Sequence, residues 1–589
     1  MKCKLVNENF RSDYVSNLFE ARRIQDINAI LNPTRDQLLD PSLFENIDAG
    51  AHIYIEALNG KHKRFALIVD SDNDGFTSSA IIYQYTHRHK PEIEIDTYIH
   101  SGKQHGLEDT CQCIIDSGKE YDLIILPDSS TNDYEYHEEL SSTAKCLVLD
   151  HHELSDGAQL SNNAIIINNQ TSPNYPNKQL TGAGVVFQFC RYVDRLLNTF
   201  YAFDYIDLAA FGIIGDMGSV VEPENAYIIR EGLKASNIKN TFFRTLIEKQ
   251  GYSISGQTGA SLADICAKLT PISVAFYLVP LVNATIRVGT QASKEKLVLA
   301  FLDGNKLIPS EKRGHKGEMD TAANEAAREC TNNREKQNKI RDEVCDKLEA
   351  KIAKHDLLEN QILFVRLDDD DVFPSELNGL LAMRLADKHK RPTIIARLND
   401  EGYVRGSARG VGQSELKDFR RFLLDSGMME YAEGHDNAFG VSLPNSKLRA
   451  LHEYANTELS HMNFTESCYD INFEREDNDT DIGALITDLS KVTATWGQGN
   501  PEALIKVTLH DIPRSAIRVM GKNLDTVKIE KGGISYMFFK CADRIDEFQK
   551  YDKMTITLVG KANMNEWMGR FTPQLMVSDF EVTNSILDF

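Results

Sequence analysis

Phe65-Ala66-Leu67-Ile68-Val69-Asp70-Ser71-Asp72-Asn73-Asp74-Gly75 runs five apolar residues straight into three aspartates and a glycine. A short apolar run with no polar alternation, ended by turn-forming residues, reads as a strand buried on both faces. The pattern recurs downstream. Leu123-Ile124-Ile125-Leu126 leads into Pro127-Asp128, Cys146-Leu147-Val148-Leu149 into Asp150-His151-His152, and Phe211-Gly212-Ile213-Ile214 into Gly215-Asp216. Helix-like segments lie between them, and Thr77-Ser78-Ser79-Ala80 after Gly75 reads as the opening of one such helix. Strands alternating with helices predict an α/β fold with a parallel sheet, whose strand carboxyl ends open on one crevice.

An aspartate after a strand is also a common turn or helix-capping residue, which suffices for any one cluster alone. Four clusters in one stretch of the chain point instead to a shared site. Several carboxylates with one or two imidazoles suit Mn²⁺ or Mg²⁺ better than Zn²⁺, which favours Cys and His in a closed tetrahedron. Two such ions can activate a water, clamp the non-bridging oxygens of a phosphate and stabilise the leaving oxygen. The chemistry predicted is phosphodiester or phosphoanhydride hydrolysis.

The order of these clusters resembles the DHH phosphoesterase superfamily, and the rest of the chain resembles its RecJ branch of single-strand-specific exonucleases. Ile165-Ile166-Ile167-Asn168-Asn169-Gln170, Leu180-Thr181-Gly182-Ala183-Gly184-Val185 and Glu224-Asn225-Ala226-Tyr227 with Arg230-Glu231-Gly232-Leu233 carry the resemblance onward. Pro280-Leu281-Val282-Asn283-Ala284-Thr285-Ile286-Arg287-Val288-Gly289 is similar to a Pro-x-x-Asn-Ala-x-Gly-Arg element, with Ile286 where Gly is usual. Gly406-Ser407-Ala408-Arg409-Gly410 and Glu433-Gly434-His435-Asp436-Asn437-Ala438-Phe439-Gly440 resemble the paired elements of the accessory domain called DHHA1. Trp496-Gly497-Gln498-Gly499-Asn500-Pro501-Glu502 and the stretch from Asn565 to Leu575 around Trp567 resemble the RecJ oligonucleotide-binding (OB) domain.

The resemblance implies two Mn²⁺ or Mg²⁺ ions. Asp72 and Asp128 would hold one, and Asp74, Asp128, His151 and Asp216 the other, with Asp128 bridging and Asp70 an additional or outlying carboxylate. Asp150 cannot easily share a strand face with His151, so it is expected to orient an imidazole from behind. His152 would then face the scissile phosphate as hydrogen-bond donor or general acid. Ser407, Arg409 and Arg287 match positions that line the passage of the terminal 5′ phosphate, where a planar guanidinium suits paired oxygens. His435 would contact the backbone beside the scissile bond. Of the aromatics available for base stacking in the OB-like region, namely Tyr536, Phe538, Phe539, Trp567 and Phe571, Trp567 is the leading candidate because Asn565, Glu566 and Arg570 surround it.

Besides Ile286, the chain departs from the pattern at three places. Ile68 stands where several small-substrate members carry a metal-binding His, which leaves the first ion with fewer nitrogen ligands. Asp128-Ser129-Ser130 replaces the usual Asp-Asn-Gly, and no Arg occupies His100-Ser101-Gly102-Lys103-Gln104-His105-Gly106-Leu107, where the family has a basic contact.

The 589 residues have room for three or four domains. Residues 1–60 read as an N-terminal helical segment, 61–235 as the DHH domain, 236–320 as its helical extension and 321–355 as a connecting helix, free of Pro and Gly. Residues 356–465 read as the DHHA1 domain and 466–589 as an OB-like β-barrel. The expected fold is thus two α/β lobes joined by a long helix, plus that barrel. No apolar run suggests a membrane span, and scattered cysteines suggest neither a disulfide framework nor a zinc ribbon, so a reducing cytoplasm is the expected compartment. The net charge of −22 excludes a broadly basic nucleic-acid coat, although Pro501–Phe589 is balanced, with twelve basic and twelve acidic residues. Asp368-Asp369-Asp370-Asp371 reads as a solvated loop. The sequence therefore predicts a metal-dependent exonuclease on single-stranded DNA, 5′ to 3′, releasing 5′-mononucleotides, with a single-strand-binding protein or helicase as a further partner. The alternatives are an oligonucleotide or cyclic-dinucleotide phosphodiesterase, a non-catalytic replication scaffold, which the intact ligand set opposes, and an inorganic pyrophosphatase, which chain length and Ile68 oppose.

Overall fold

The structure, a computed structural model, describes residues 1–100, 105–155, 157–567 and 569–585, with the side chain of Trp567 outside the described part. The chain forms two compact units, residues 25–337 with 494–501, and residues 1–24 with 338–493 and 502–589.

The first unit is built on a five-stranded sheet. Its strands are β1 (Arg64–Val69), β2 (Glu94–Ile99), β3 (Leu123–Pro127), β4 (Cys146–Asp150) and β5 (Ala164–Asn168), in the order β2-β1-β3-β4-β5. All four pairings are parallel. Phe65, Leu67 and Val69 point into one core and Ala66 and Ile68 into another, as a sheet covered on both faces requires. Each buried Leu, Ile, Val or Phe contributes about 1.5–3 kcal/mol. Helices α1 (Asn73–His89), α2 (Gly182–Leu197) and α3 (Ile206–Gly215) pack on one another and form much of the larger core. Strand order reverses between β1 and β3, and at such a switch point the loops diverge to leave a crevice at the strand carboxyl ends.

The fourth apolar run is a helix, which corrects the strand expected before Asp216. Residues Ile206 to Ile214 are all buried. Without a polar face, periodicity cannot separate a buried helix from a buried strand. Asp216 still reaches the crevice because it caps the carboxyl end of α3.

Further along, Pro271–Val288 is an 18-residue helical stretch with mean hydropathy 1.4, long and apolar enough by those measures to cross a membrane, contrary to the sequence reading. It is 56% buried inside the unit, as a core helix is. A long polar helix, α4 (Ala322–Lys354), follows, and the chain's division into two units falls within it.

The second unit holds two sheets besides a short parallel pair. Strands β6 (Leu363–Leu367), β7 (Thr393–Leu398), β8 (Tyr403–Arg409), β9 (Tyr431–His435) and β10 (Ala438–Pro444) form a sheet in the order β9-β10-β8-β7-β6. The seven-stranded sheet runs from Phe473–Glu476 through Leu504–Pro513, Lys553–Trp567, Arg570–Asn584, Ile534–Phe538 and Thr526–Lys531 to Arg518–Met520. Lys351 pairs with Asp368 and Asp371 at either end of the acidic loop.

Two expected segments are divided differently. Residues 1–60 are not one helical segment, because Lys2–Leu5 is a strand paired in parallel with Cys468–Ile471. Residues 494–501 leave the C-terminal region for the first unit, where the Val220 N–H donates to the Gln498 carbonyl at 2.9 Å and Trp496 is buried.

Candidate metal centre

The loop after β1 becomes the first turn of α1. Asp72 is its N-cap, with a side chain that accepts from the Gly75 N–H at 3.0 Å. That cap directs Asp74 into the protein, where its Oδ1 accepts from the Thr181 hydroxyl at 3.0 Å and the Ala183 N–H at 3.1 Å. Its Oδ2 is buried without a hydrogen-bond partner. Asp128 follows β3 with φ 64°, in the left-handed region of the backbone. Its Oδ1 is likewise buried and unpartnered.

These oxygens converge on one imidazole. His151 Nε2 lies 3.2 Å from Asp128 Oδ1, outside hydrogen-bond geometry, 3.5 Å from Asp216 Oδ2 and 4.0 Å from Asp74 Oδ2. Burial and mutual repulsion lift Asp74 to a pKa of about 6 and Asp128 well above the usual carboxylate range. The same causes take the partly exposed Asp216 to about 8. Burial and the charge of His152 bring His151 down to about 4. Carboxylates so crowded, with orphaned oxygens facing a neutral ring nitrogen, fit a divalent cation by their donor set.

Close packing at two glycines lets the helices approach. A Cβ on Gly182, at the start of α2, would lie 2.2 Å from Asp128 Oδ1, and one on Gly212 in α3 would lie 2.3 Å from Asp74 Oδ1.

Asp150 closes β4 fully buried and does orient an imidazole, that of His152. Its Oδ1 accepts from His152 Nδ1 at 2.8 Å and from the His151 N–H at 2.7 Å, while Oδ2 accepts from the Thr131 N–H at 2.9 Å and its hydroxyl at 2.6 Å. Burial would raise the Asp150 carboxyl, but the contacts with His152, His151 and Thr131 together outweigh it and hold Asp150 well below the ordinary range. Burial likewise opposes, and Asp150 reverses, the shift of His152, which rises to about 9. His152 is half-exposed and lines a cavity of about 320 Å³ with His105, Ser129, Ser130, Thr131 and Glu153.

A third group joins Asp70 and Asp72 to His105, which sequence reasoning passed over. Asp70 is buried, its Oδ2 2.6 Å from His105 Nδ1 and its Oδ1 without a hydrogen-bond partner. Thr131, Asn168 and Glu224 were also missed. Asn168 donates to Thr131 Oγ1 at 2.8 Å and to the His152 carbonyl at 2.9 Å. Glu224, buried, accepts from the Tyr175 hydroxyl, Asn177 and Gln188 and braces the turn before α2. Their signal was only that Asn168 and Glu224 stood inside motifs that carry the family resemblance.

Among the substrate candidates, Ser407, Arg409 and His435 share one face of their sheet. Arg409 and His435 both stand opposite Ala438, on either side of β10, and Ser407 lies two residues before Arg409. The Arg409 guanidinium lies against Gly379, in the first turn of the helix Asn378–His389. Arg287, in the first unit, is half-buried beside Arg334, and among the described residues it has no hydrogen-bond or ion-pair partner; burial, then that neighbouring charge, lower its pKa. Of the aromatics, Tyr536 and Phe538 are core residues, Phe539 and Phe571 are exposed, and the Trp567 side chain lies outside the described residues. Ser101–Gln104, part of the segment where the family has a basic contact and this chain no Arg, also lie outside them.

The DHH family, N-terminal domain, matches residues 64–213, and the RecJ OB domain matches residues 478–579. An SPbeta prophage-derived protein of Bacillus subtilis strain 168, named YorK as a single-strand DNA-specific exonuclease, is 32% identical over 99% of both chains. The chain belongs to the RecJ branch of the DHH phosphoesterases. The single-stranded-DNA-specific exonuclease RecJ of Haemophilus influenzae is 24% identical over 96% of this chain and 95% of its own length. The crystal structure of RecJ in complex with Mn²⁺ from Thermus thermophilus shares the fold, with a TM-score of 0.68 at 18% identity over 98% of this chain and 79% of that one. A second structure of the same RecJ, with Mg²⁺, has a TM-score of 0.63 at 17% identity over 98% and 78%.

Proposed function

We propose that this RecJ-family protein is an exonuclease on single-stranded DNA that uses two Mn²⁺ or Mg²⁺ ions, proceeds 5′ to 3′ and releases 5′-mononucleotides. The observation that carries the reading is the convergence of Asp74, Asp128 and Asp216 on His151 at the switch point, with buried oxygens left unpaired. Relatives along the whole chain bear single-strand exonuclease names, and the shared fold has been solved with Mn²⁺ and with Mg²⁺.

Asp74, Asp128, His151 and Asp216 would hold one ion, with Asp72 and Asp70 beside Asp128 for the other. Bound there, such ions supply Lewis acidity toward a phosphate and a nucleophile at neutral pH. The protein's own part is positioning and proton handling. Asp150 fixes the ring of His152 and keeps it protonated, so that His152 can donate to a phosphate oxygen or the leaving 3′ oxygen. Thr131 and Asn168 hold that pair in place. Within the second unit, Ser407 and Arg409 would take the terminal 5′ phosphate, and His435, on the same face, the adjoining backbone. Arg287, in the first unit, is proposed separately as a phosphate contact. The OB domain would retain the trailing strand through Phe539, Phe571 and Trp567.

Polarity is the part to test. Full-length protein with Mn²⁺ and an oligonucleotide labelled at either end should release labelled mononucleotide from the 5′ end at once, and from the 3′ end only after full digestion. Early release from the 3′ end contradicts the proposal.

A further inference from the structure

The carboxylates of the proposed centre do not share one imidazole. His151 serves Asp74, Asp128 and Asp216, whereas Asp70 and Asp72 form their own group with His105, their donor atoms all within 4.8 Å of one another. The strand that delivers Asp70 brings no nitrogen, because Ile68 is buried in the apolar core. Two buried atoms aimed at this place lack hydrogen-bond partners, Asp70 Oδ1 and His100 Nε2, and they lie 3.9 Å apart. The two residues after His105 hold it in place through Asp133. That carboxylate accepts from the Leu107 N–H at 2.8 Å and packs so closely on Gly106 (φ 73°) that a Cβ there would lie 2.3 Å from its Oδ2.

We propose that His105 is the imidazole ligand of a first ion held with Asp70 and Asp72, reaching it from the loop after β2 in place of a residue on β1. The inference rests on the metal-dependent reading above and adds a ligand to it. Asp70, with one oxygen on His105 and one unpaired, becomes a direct ligand rather than an outlying carboxylate. His100, anchored through Nδ1 by Asp109, is the positioning residue behind it. Mg²⁺ binds oxygen donors and gives up water reluctantly, so a nitrogen ligand here tilts this position toward Mn²⁺.

The test is Mn²⁺ binding to the full chain without substrate, by calorimetry and by pulsed EPR, which detects ¹⁴N couplings of ligating histidines. Wild type should bind two ions, each with a histidine coupling. His105→Ala should lose one coupling and weaken one ion by about tenfold or more, the range already seen for supporting residues, with an unchanged melting temperature. His105→Gln can still donate a hydrogen bond to Asp70 but ligates poorly, and should behave like His105→Ala. Restored binding in His105→Gln, or two unaltered ions in His105→Ala, overturns the inference and leaves the proposed function standing. No Mn²⁺ binding by wild type overturns both.

Discussion

Asp150 shows how one carboxylate divides two histidines. By accepting from the His152 ring it makes that imidazole a cation, while His151, buried among other groups, stays neutral. Asp150→Asn keeps an acceptor for Thr131 but removes the charge. The His152 pKa should then fall from about 9 toward its ordinary 6.5, and the alkaline limb of kcat/KM should move down with it. An unmoved limb would show that His152 does not act as a cation. Gly182 makes a second prediction, since any side chain there meets the Asp128 carboxylate. Gly182→Ala should cost about 100-fold in kcat, as a misplacement of about 1 Å can; kcat and thermal melting, measured together, check that folding is spared. Ser130 occupies φ 78°, where the family's usual residue is Gly, so the turn survives the change at a cost in strain. Ser130→Val should destabilise by about 1–3 kcal/mol in urea unfolding, whereas Ser130→Gly, which relieves the strain, should leave stability unchanged or raise it.

Elements were legible in proportion to how clearly their sequence could mean only one thing. Strands β1, β3 and β4 lead into aspartates, and all three strands were readable, with the candidate ligands that follow them. The run before Asp216 was equally apolar but is a helix, since total burial erases the periodicity that separates the two states. The grouping of Asp70 with His105 was not legible, because proximity between the ends of β1 and β2 is set by sheet order, not by spacing along the chain. Residues 494–501 carried OB-like motifs yet pack in the first unit, a fact fixed by tertiary contacts with Ser219–Val221. The helix Tyr134–Leu140 hides a further titrating group. His137 is fully buried with neither ring nitrogen hydrogen-bonded, and burial lowers its pKa from 6.5 to about 4. Between those values the unfolded chain holds a proton that the folded chain does not, so stability falls as pH drops through that window. Near pH 5 the loss is roughly 2 kcal/mol. Urea midpoints should therefore fall more between about pH 7.5 and pH 5 for wild type than for His137→Leu; equal falls would assign the acid sensitivity elsewhere.

At the scale of the whole molecule, an acidic chain must bind an acidic polymer. With a net charge of −22, attraction has to come from local basic groups, for which Arg287, Arg409 and the charge-balanced C-terminal region are the proposed candidates. Affinity for a long single strand should therefore fall steeply with salt, by about 0.7 log units per log unit of salt for each phosphate contact. Replacing both Phe539 and Phe571 by Ala should raise KM on long strands and leave dinucleotide hydrolysis unchanged. A KM on long strands that does not rise would remove both residues from strand holding. Hydrolysis itself presupposes the cluster of carboxylates around His151. The most direct test is the Mn²⁺-dependent rate of mononucleotide release from single-stranded DNA by wild type and by Asp128→Ala, at matched melting temperatures. The arrangement predicts that the variant loses almost all activity, and undiminished hydrolysis by Asp128→Ala would contradict it.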